Sequence, residues 1–176
     1  LPRHIAWHRA RLRRYLISIN YLTLLSIREY PNDGESHMKN LDRFRHEHAE
    51  ILGIAYEIRH LLQPDHVSKN AGMLHALLAQ LTRKTLAHLL HEDRSVYQEL
   101  LLSEHEPTRM LARNHAQSMG CFADSLKHYL NDWPDTQTLS RKPKQFCEQT
   151  QALITDLERR IDHEERGLYP FSEGRV

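Results

Sequence analysis

The chain has 176 residues, 40% of them hydrophobic and 27% charged, with only six glycines, seven prolines and two cysteines. That length and balance describe one folded domain, or one domain with an appendage, and exclude a disordered or fibrous chain. The net charge of +1 conceals an asymmetry, since residues 1–30 carry +5 and the remainder −4, so the main body is a poor nucleic-acid binder.

Residues 3–29 join an Arg- and His-rich front to the apolar run Tyr15–Ile27, whose thirteen residues fall short of the roughly 20 that span a bilayer. No Ala-x-Ala cleavage site follows, which speaks against a secretory leader. His4 and His8 have helical metal spacing, yet they stand among arginines that repel a cation. Residues 1–37 therefore read as a basic N-terminal arm or extra helix with a turn-rich linker at Pro31–Ser36. Packing as a fifth helix and docking on a membrane surface or partner remain alternatives, and dimerisation through the arm is left open. A compact domain is expected over residues 38–171, with a tail at 172–176.

The first helix of that domain is expected from about Asn40, a good N-cap, to Leu62, with Pro64 ending it. Its apolar stripe is Leu41, Phe44, Ile51, Leu52, Ala55 and Leu62, and His48 falls in phase with it. A second helix, from about Ser68 to Leu102, shows Leu74, Leu78, Leu81, Thr85, His88, Glu92 and Val96 at spacings of three and four. Pro107 suits the first turn of a third helix, with an inward series Leu111, His115, Ser118 or Met119, Phe122, Leu126 and Tyr129, closed by Trp133-Pro134. The fourth runs from about Pro143 with Phe146, Leu153, Leu157, Arg160, Glu164 and Leu168 on one face, and Tyr169-Pro170 closes it. Four long amphipathic helices with short connections make an all-α, up-down-up-down four-helix bundle. Cys121 and Cys147 show no CxxC spacing, which fits packing roles in a reducing, cytoplasmic compartment.

Fourteen histidines are the outstanding feature of the composition, because imidazole is the commonest metal-binding side chain. Each expected helix carries polar residues inside its apolar stripe: His48 on the first, His88 and Glu92 on the second, His115 on the third, Arg160 and Glu164 on the fourth. Burial of such groups is costly unless something satisfies them, and a metal site at the bundle centre would satisfy most of them together. Positions i and i+4 share one helix face, so His88 and Glu92 can serve the same ion from a single turn. Mixed nitrogen and oxygen ligation suits iron, with manganese or zinc as rivals. His91 and His163 lie off phase and suit supporting or surface positions. Tyr97 and Tyr169 read as packing residues at the bundle end.

Three motifs carry a resemblance: Glu47-His48-Ala49-Glu50-Ile51, His88-x-x-x-Glu92-Asp93 leading to Tyr97, and Glu164-Glu165-x-x-Leu168-Tyr169-Pro170. In order and spacing over residues 38–171 the chain resembles the hemerythrin-like (HHE cation-binding) domain. The resemblance implies a four-helix bundle holding a non-haem di-iron centre, with roles in oxygen binding, in sensing oxygen or nitric oxide, or in repair of iron-sulfur clusters, so a sensor, iron-handling or stress-response protein is expected. Carried over by position, it implies His48, His88, Glu92, His115 and Glu164 as metal ligands, with Glu92 and Glu164 bridging. Two departures stand out. Arg160 occupies the place where the fuller pattern has a histidine, and the third helix offers one in-phase histidine instead of a pair. Arg160 cannot ligate, because its guanidinium stays protonated. The site is therefore expected to be asymmetric, to hold one ion or to be vestigial, and reversible oxygen carriage is the least favoured role.

Two rivals remain open at the level of sequence. One is a metal-free interaction bundle in which Arg160 pairs with Glu164. The other is a ferritin-like oxidase, whose Glu-x-x-His repeat is matched once, by Glu57 and His60. No nucleophile–base pair, phosphate loop or nucleotide fingerprint is present, so a non-enzymatic role is favoured.

Overall fold

The computed structural model describes residues 37–172; the basic arm and the residues beyond 172 lie outside the described residues. Helix α1 spans His37–Leu61 and turns its Leu41, Phe44, His48, Ile51, Ala55 and Ile58 side chains into the core, one residue per turn of a 3.6-residue period. It starts earlier than the sequence suggests, so Asn40 lies within it and does not cap it. Pro64 restricts the chain just beyond the helix, and a 3-10 turn at Pro64–His66 leads directly into the next element.

Helix α2, Val67–Arg94, runs back along α1 and buries Leu74, Leu78, Leu81, Thr85, His88, Leu89 and Glu92. The single helix expected as far as Leu102 is broken at Ser95, whose φ of −123° and ψ of −84° are not helical. The cause is local. The Ser95 hydroxyl donates to the carbonyl of His91 at 2.9 Å, a side-chain bond that competes with the regular backbone ladder. The chain resumes as α3, Val96–Leu101, with Val96, Tyr97 and Leu100 buried.

Helix α4, Glu106–Asp132, places Pro107 in its first turn as expected. Its inward face differs from expectation in the first half. Thr108, Ala112, Ala116 and Ala123 are buried, together with Phe122, Leu126 and Tyr129, whereas Ser118 is exposed and Leu111 and His115 are half-buried. Small residues hold the inward positions here, and the larger Leu111 and His115 lie at the edge. A short helix that the sequence pattern did not suggest, α5 at Thr136–Arg141, is capped by Asp135, whose carboxylate accepts from the Thr138 amide at 2.8 Å.

Helix α6, Pro143–His163, supplies Phe146, Leu153, Ile154, Leu157, Arg160 and Ile161 to the core. It does not stop at Tyr169-Pro170. A π-helical turn at Glu164–Leu168 widens the coil, and α7, Tyr169–Ser172, continues past Pro170. The architecture is all-α, a bundle of α1, α2 with α3, α4, and α6 with its extensions. One end is sealed by apolar and aromatic packing, with Trp133 edge-on to Phe146 at 5.2 Å and Tyr129 bonded to Thr150 at 2.7 Å. The polar residues collect elsewhere in the core. Among the described residues no helix is long and apolar enough to cross a membrane.

Candidate metal site

His48 on α1, His88 and Glu92 on α2, and Glu164 at the start of the π turn meet inside the bundle, each 3% exposed or less. One ligand atom from each lies within 4.8 Å of all the others. The Nε2 atoms of His48 and His88 are 2.9 Å apart. Oε2 of Glu164 lies 3.3 Å from Nε2 of His48 and 3.8 Å from Nε2 of His88. Oε2 of Glu92 lies 3.6 Å from Nε2 of His88. Four of the five residues implied as ligands are thus brought together.

The fifth, His115, stands apart from this cluster. At its level of α4 the inward positions belong to Ala112 and Ala116, which turns His115 towards the seam between α4 and the π turn. There it adjoins Gly167, and with Asp162, His163 and Arg166 it lines an open pocket of about 300 Å³. Burial lowers its pKa, with Arg160 and His163 acting in the same sense.

What surrounds the four is as specific as the four themselves. Nδ1 of His48 lies 2.8 Å from Oε1 of Glu165, and Nδ1 of His88 lies 2.9 Å from Oε2 of Glu47. An ionised carboxylate only accepts, so each Nδ1 carries the hydrogen. Such outer partners fix the tautomer and orientation of a metal-binding imidazole. The other oxygen of Glu47 takes Nδ1 of His91 at 3.2 Å. Tyr169 donates to Oε1 of Glu92 at 2.7 Å, stacks on the His48 ring and lies with its oxygen 3.4 Å from Nε2 of His48.

Arg160 is buried beside the carboxylates. Its Nη2 forms a close ion pair with Oε1 of Glu164, donates to the Tyr97 hydroxyl at 3.2 Å and lies 3.9 Å from Oε2 of Glu92. The ion pair expected as the alternative to metal binding is present. It uses one oxygen of Glu164 and leaves Oε2 buried without a hydrogen-bond donor, as Oε2 of Glu92 also is. Buried atoms of this kind are rare and call for a partner.

The same contacts set the protonation pattern. Burial pushes the Glu92 carboxyl up and the nearby charge of Glu164 adds to it, while burial of Glu164 is outweighed by Arg160, which holds that carboxyl down. Burial opposes the charged form of His88, but the carboxylates of Glu92, Glu164 and Glu47 together raise it to about 10. Burial of Glu47 is likewise overcome by His88 and His91, which lower it to about 2.

A pH dependence follows for the metal-free protein. His88, raised from 6.5, contributes stability that is complete below about pH 6.5 and is lost as pH rises through about 10. Glu47, lowered from 4.5, contributes stability that is complete above about pH 4.5 and is lost as pH falls through about 2. Glu92, with its raised pKa, acts in the same sense as His88. Thermal unfolding in the presence of chelator is expected to give the highest Tm near about pH 4.5, with a decline through about pH 7 as Glu92 ionises and a further decline towards pH 10 as His88 loses its proton. A Tm that climbs steadily over the alkaline range would contradict this assignment.

Glu47, Glu165 and the two tyrosine hydroxyls are the partners that sequence periodicity did not assign. Glu47 and Glu165 each neighbour a cluster residue in sequence, and an off-face carboxylate beside an inward histidine or glutamate is the only signal that pointed to them. Tyr97 and Tyr169 are buried as expected of packing residues, but both hydroxyls belong to the polar network. A search of curated proteins and a search of solved structures each returned no match. The family model of the hemerythrin HHE cation binding domain matches residues 39–172, a span that contains every residue of the buried cluster. With that match over most of its length, the chain belongs to the hemerythrin HHE cation-binding family.

Proposed function

We propose that the chain holds iron through Nε2 of His48, Nε2 of His88 and the carboxylates of Glu92 and Glu164, and that it acts in sensing oxygen or nitric oxide, in iron handling or in a stress response. The observation that carries this reading is the direction of the lone pairs. Both Nδ1 atoms face carboxylates, so in their neutral forms His48 and His88 present two Nε2 lone pairs to each other at 2.9 Å. Two carboxylate oxygens without hydrogen-bond donors point into the same space. Four electron-pair donors facing one another repel unless a cation lies among them, and a proton on one imidazole relieves only part of that repulsion.

The fit is to a borderline metal ion, since two imidazoles and two carboxylates form the mixed donor set that suits iron. Bound iron would supply a centre able to exchange an electron and meet a small diatomic ligand. The chain's own residues fix the donors. Glu47 and Glu165 hold the imidazoles, Tyr169 orients Glu92, and Arg160 anchors one side of Glu164. His115 lies at the rim and is left outside the proposed ligand set.

The second reading is a metal-free interaction bundle, favoured by the Arg160–Glu164 pair. Metal analysis separates the two. Protein purified without added metal, and the same protein after anaerobic Fe(II) loading, is expected to retain iron through gel filtration and to show a visible charge-transfer band on exposure to oxygen or nitric oxide. No retained metal after loading would leave the metal-free bundle standing.

A further inference from the structure

The number of ions the site holds is written into the far sides of its two carboxylates. An ion pair bridged by Glu92 and Glu164 would need a free oxygen of each carboxylate on the side away from the first ion, together with further neutral donors. Oε1 of Glu164 is taken by the guanidinium of Arg160, and Oε1 of Glu92 accepts from Tyr169 at 2.7 Å. Neither oxygen is open to a second cation without displacing a protein donor. The histidine on α4, His115, is directed to the seam with Gly167 and does not join the cluster.

The remaining atoms can surround one ion. Four donors each about 2.1 Å from a common centre at tetrahedral angles stand about 3.4 Å apart. Four of the six separations in the cluster, 2.9, 3.3, 3.6 and 3.8 Å, straddle that value, and all six lie within 4.8 Å. Charge agrees with distance. Arg160 is buried within 3.9 Å of Oε2 of Glu92 and in contact with Glu164, and a guanidinium cannot lose its proton to make room for a cation. Of the two carboxylates at the cluster itself the guanidinium offsets one, while Glu47 and Glu165 stand at the outer nitrogens, so the inner charge available to a second divalent ion is reduced.

We propose that this chain binds a single metal ion at His48, His88, Glu92 and Glu164, and that the Arg160 guanidinium stands as a permanent cation where a second metal ion would otherwise bind. The inference rests on the metal-binding reading above and extends it to stoichiometry. Arg160 is then a positioning residue. It holds Glu164 by one oxygen and commits the other to the metal.

The test is a titration with Co(II) under anaerobic conditions, followed by native mass spectrometry and electron paramagnetic resonance. The wild-type chain is expected to take up one Co(II) with the signal of an isolated ion. Arg160→His, which supplies a neutral imidazole four residues before Glu164, is expected to double the stoichiometry to two and to diminish that signal through coupling between the ions. Arg160→Gln removes the charge while keeping a hydrogen-bond donor, and serves if Arg160→His does not fold; it is expected to weaken the preference for one ion. No Co(II) bound by the wild-type chain would overturn the metal-binding reading itself. Two ions bound by the wild-type chain would overturn the single-ion inference and leave that reading intact. One ion in the wild type and in both variants would overturn the role given to Arg160.

Discussion

His88→Ala is expected to lower metal affinity by more than about 100-fold, beyond the range typical of losing an outer partner. His88 is the side chain through which the site is most connected. Its Nε2 faces His48, Glu92 and Glu164, and its Nδ1 is held by Glu47. Its removal deletes one donor and releases the carboxylate that oriented it. Glu47→Gln provides the matched control, because it leaves all four proposed donors in place and alters only the partner of Nδ1. An amide can accept from Nδ1–H, but it can also flip and donate, so its hold on the tautomer is weaker. A loss of about 10- to 100-fold is expected for this variant. Competition with a chromogenic chelator measures both. Equal affinities for wild type and His88→Ala would remove His88 from the site, and with it the proposed function.

Arg160→Leu is expected to destabilise the metal-free protein by about 3–5 kcal/mol, the usual consequence of removing one partner from a buried ion pair. For a chain of this size that is on the order of 10 °C in Tm. Glu164 would be left 1% exposed, facing a second buried carboxylate with its counter-charge gone. The penalty should be conditional. Lowering the pH protonates Glu164 and shrinks it, and a bound divalent ion at about 100 times its Kd returns about 2.7 kcal/mol. Calorimetric scans of wild type and variant, with chelator and with metal, check both statements. A variant as stable as wild type in chelator would show that the guanidinium is not needed for the fold.

The fold was legible in sequence because the signal is the 3.6-residue period of large aliphatic residues, which packing reinforces. Leu41, Phe44, Ile51 and Ala55 on α1, and Leu74, Leu78 and Leu81 on α2, lie where periodicity puts them. Periodicity failed where a local interaction or a small residue took precedence. The break of α2 at Ser95 carries no apolar or proline signal in the pattern, which runs on through Val96. Alanines, weak in any hydrophobic pattern, set the inward face of α4 at Ala112 and Ala116 and move His115 aside. The convergence of His48, His88, Glu92 and Glu164 followed from phase along single helices. The supporting shell did not, because Glu47 and Glu165 sit off that phase. They reach the histidines only through the relative placement of different helices, the paired residues lying 41 and 117 positions apart in sequence. The family match over residues 39–172 agrees with the motifs quoted from the sequence.

The π turn at Glu164–Leu168 gives the wall facing α1 more residues than a regular helix could present. In an α-helix Glu164 and Glu165 point about 100° apart, as do Leu168 and Tyr169. Here Glu164 reaches the inner side of His48, Glu165 its outer nitrogen and Tyr169 its ring face. One imidazole is gripped on three sides by three residues of a six-residue segment. Excising a single residue from this segment, Gly167 for instance, would let the coil relax to ordinary α geometry with Tyr169 near its present phase, because four α-helical steps of about 100° sweep nearly the angle of five steps of the wider turn. The extra residue therefore works as a local adjustment of grip, made while Leu168 and Tyr169 keep their places in the core.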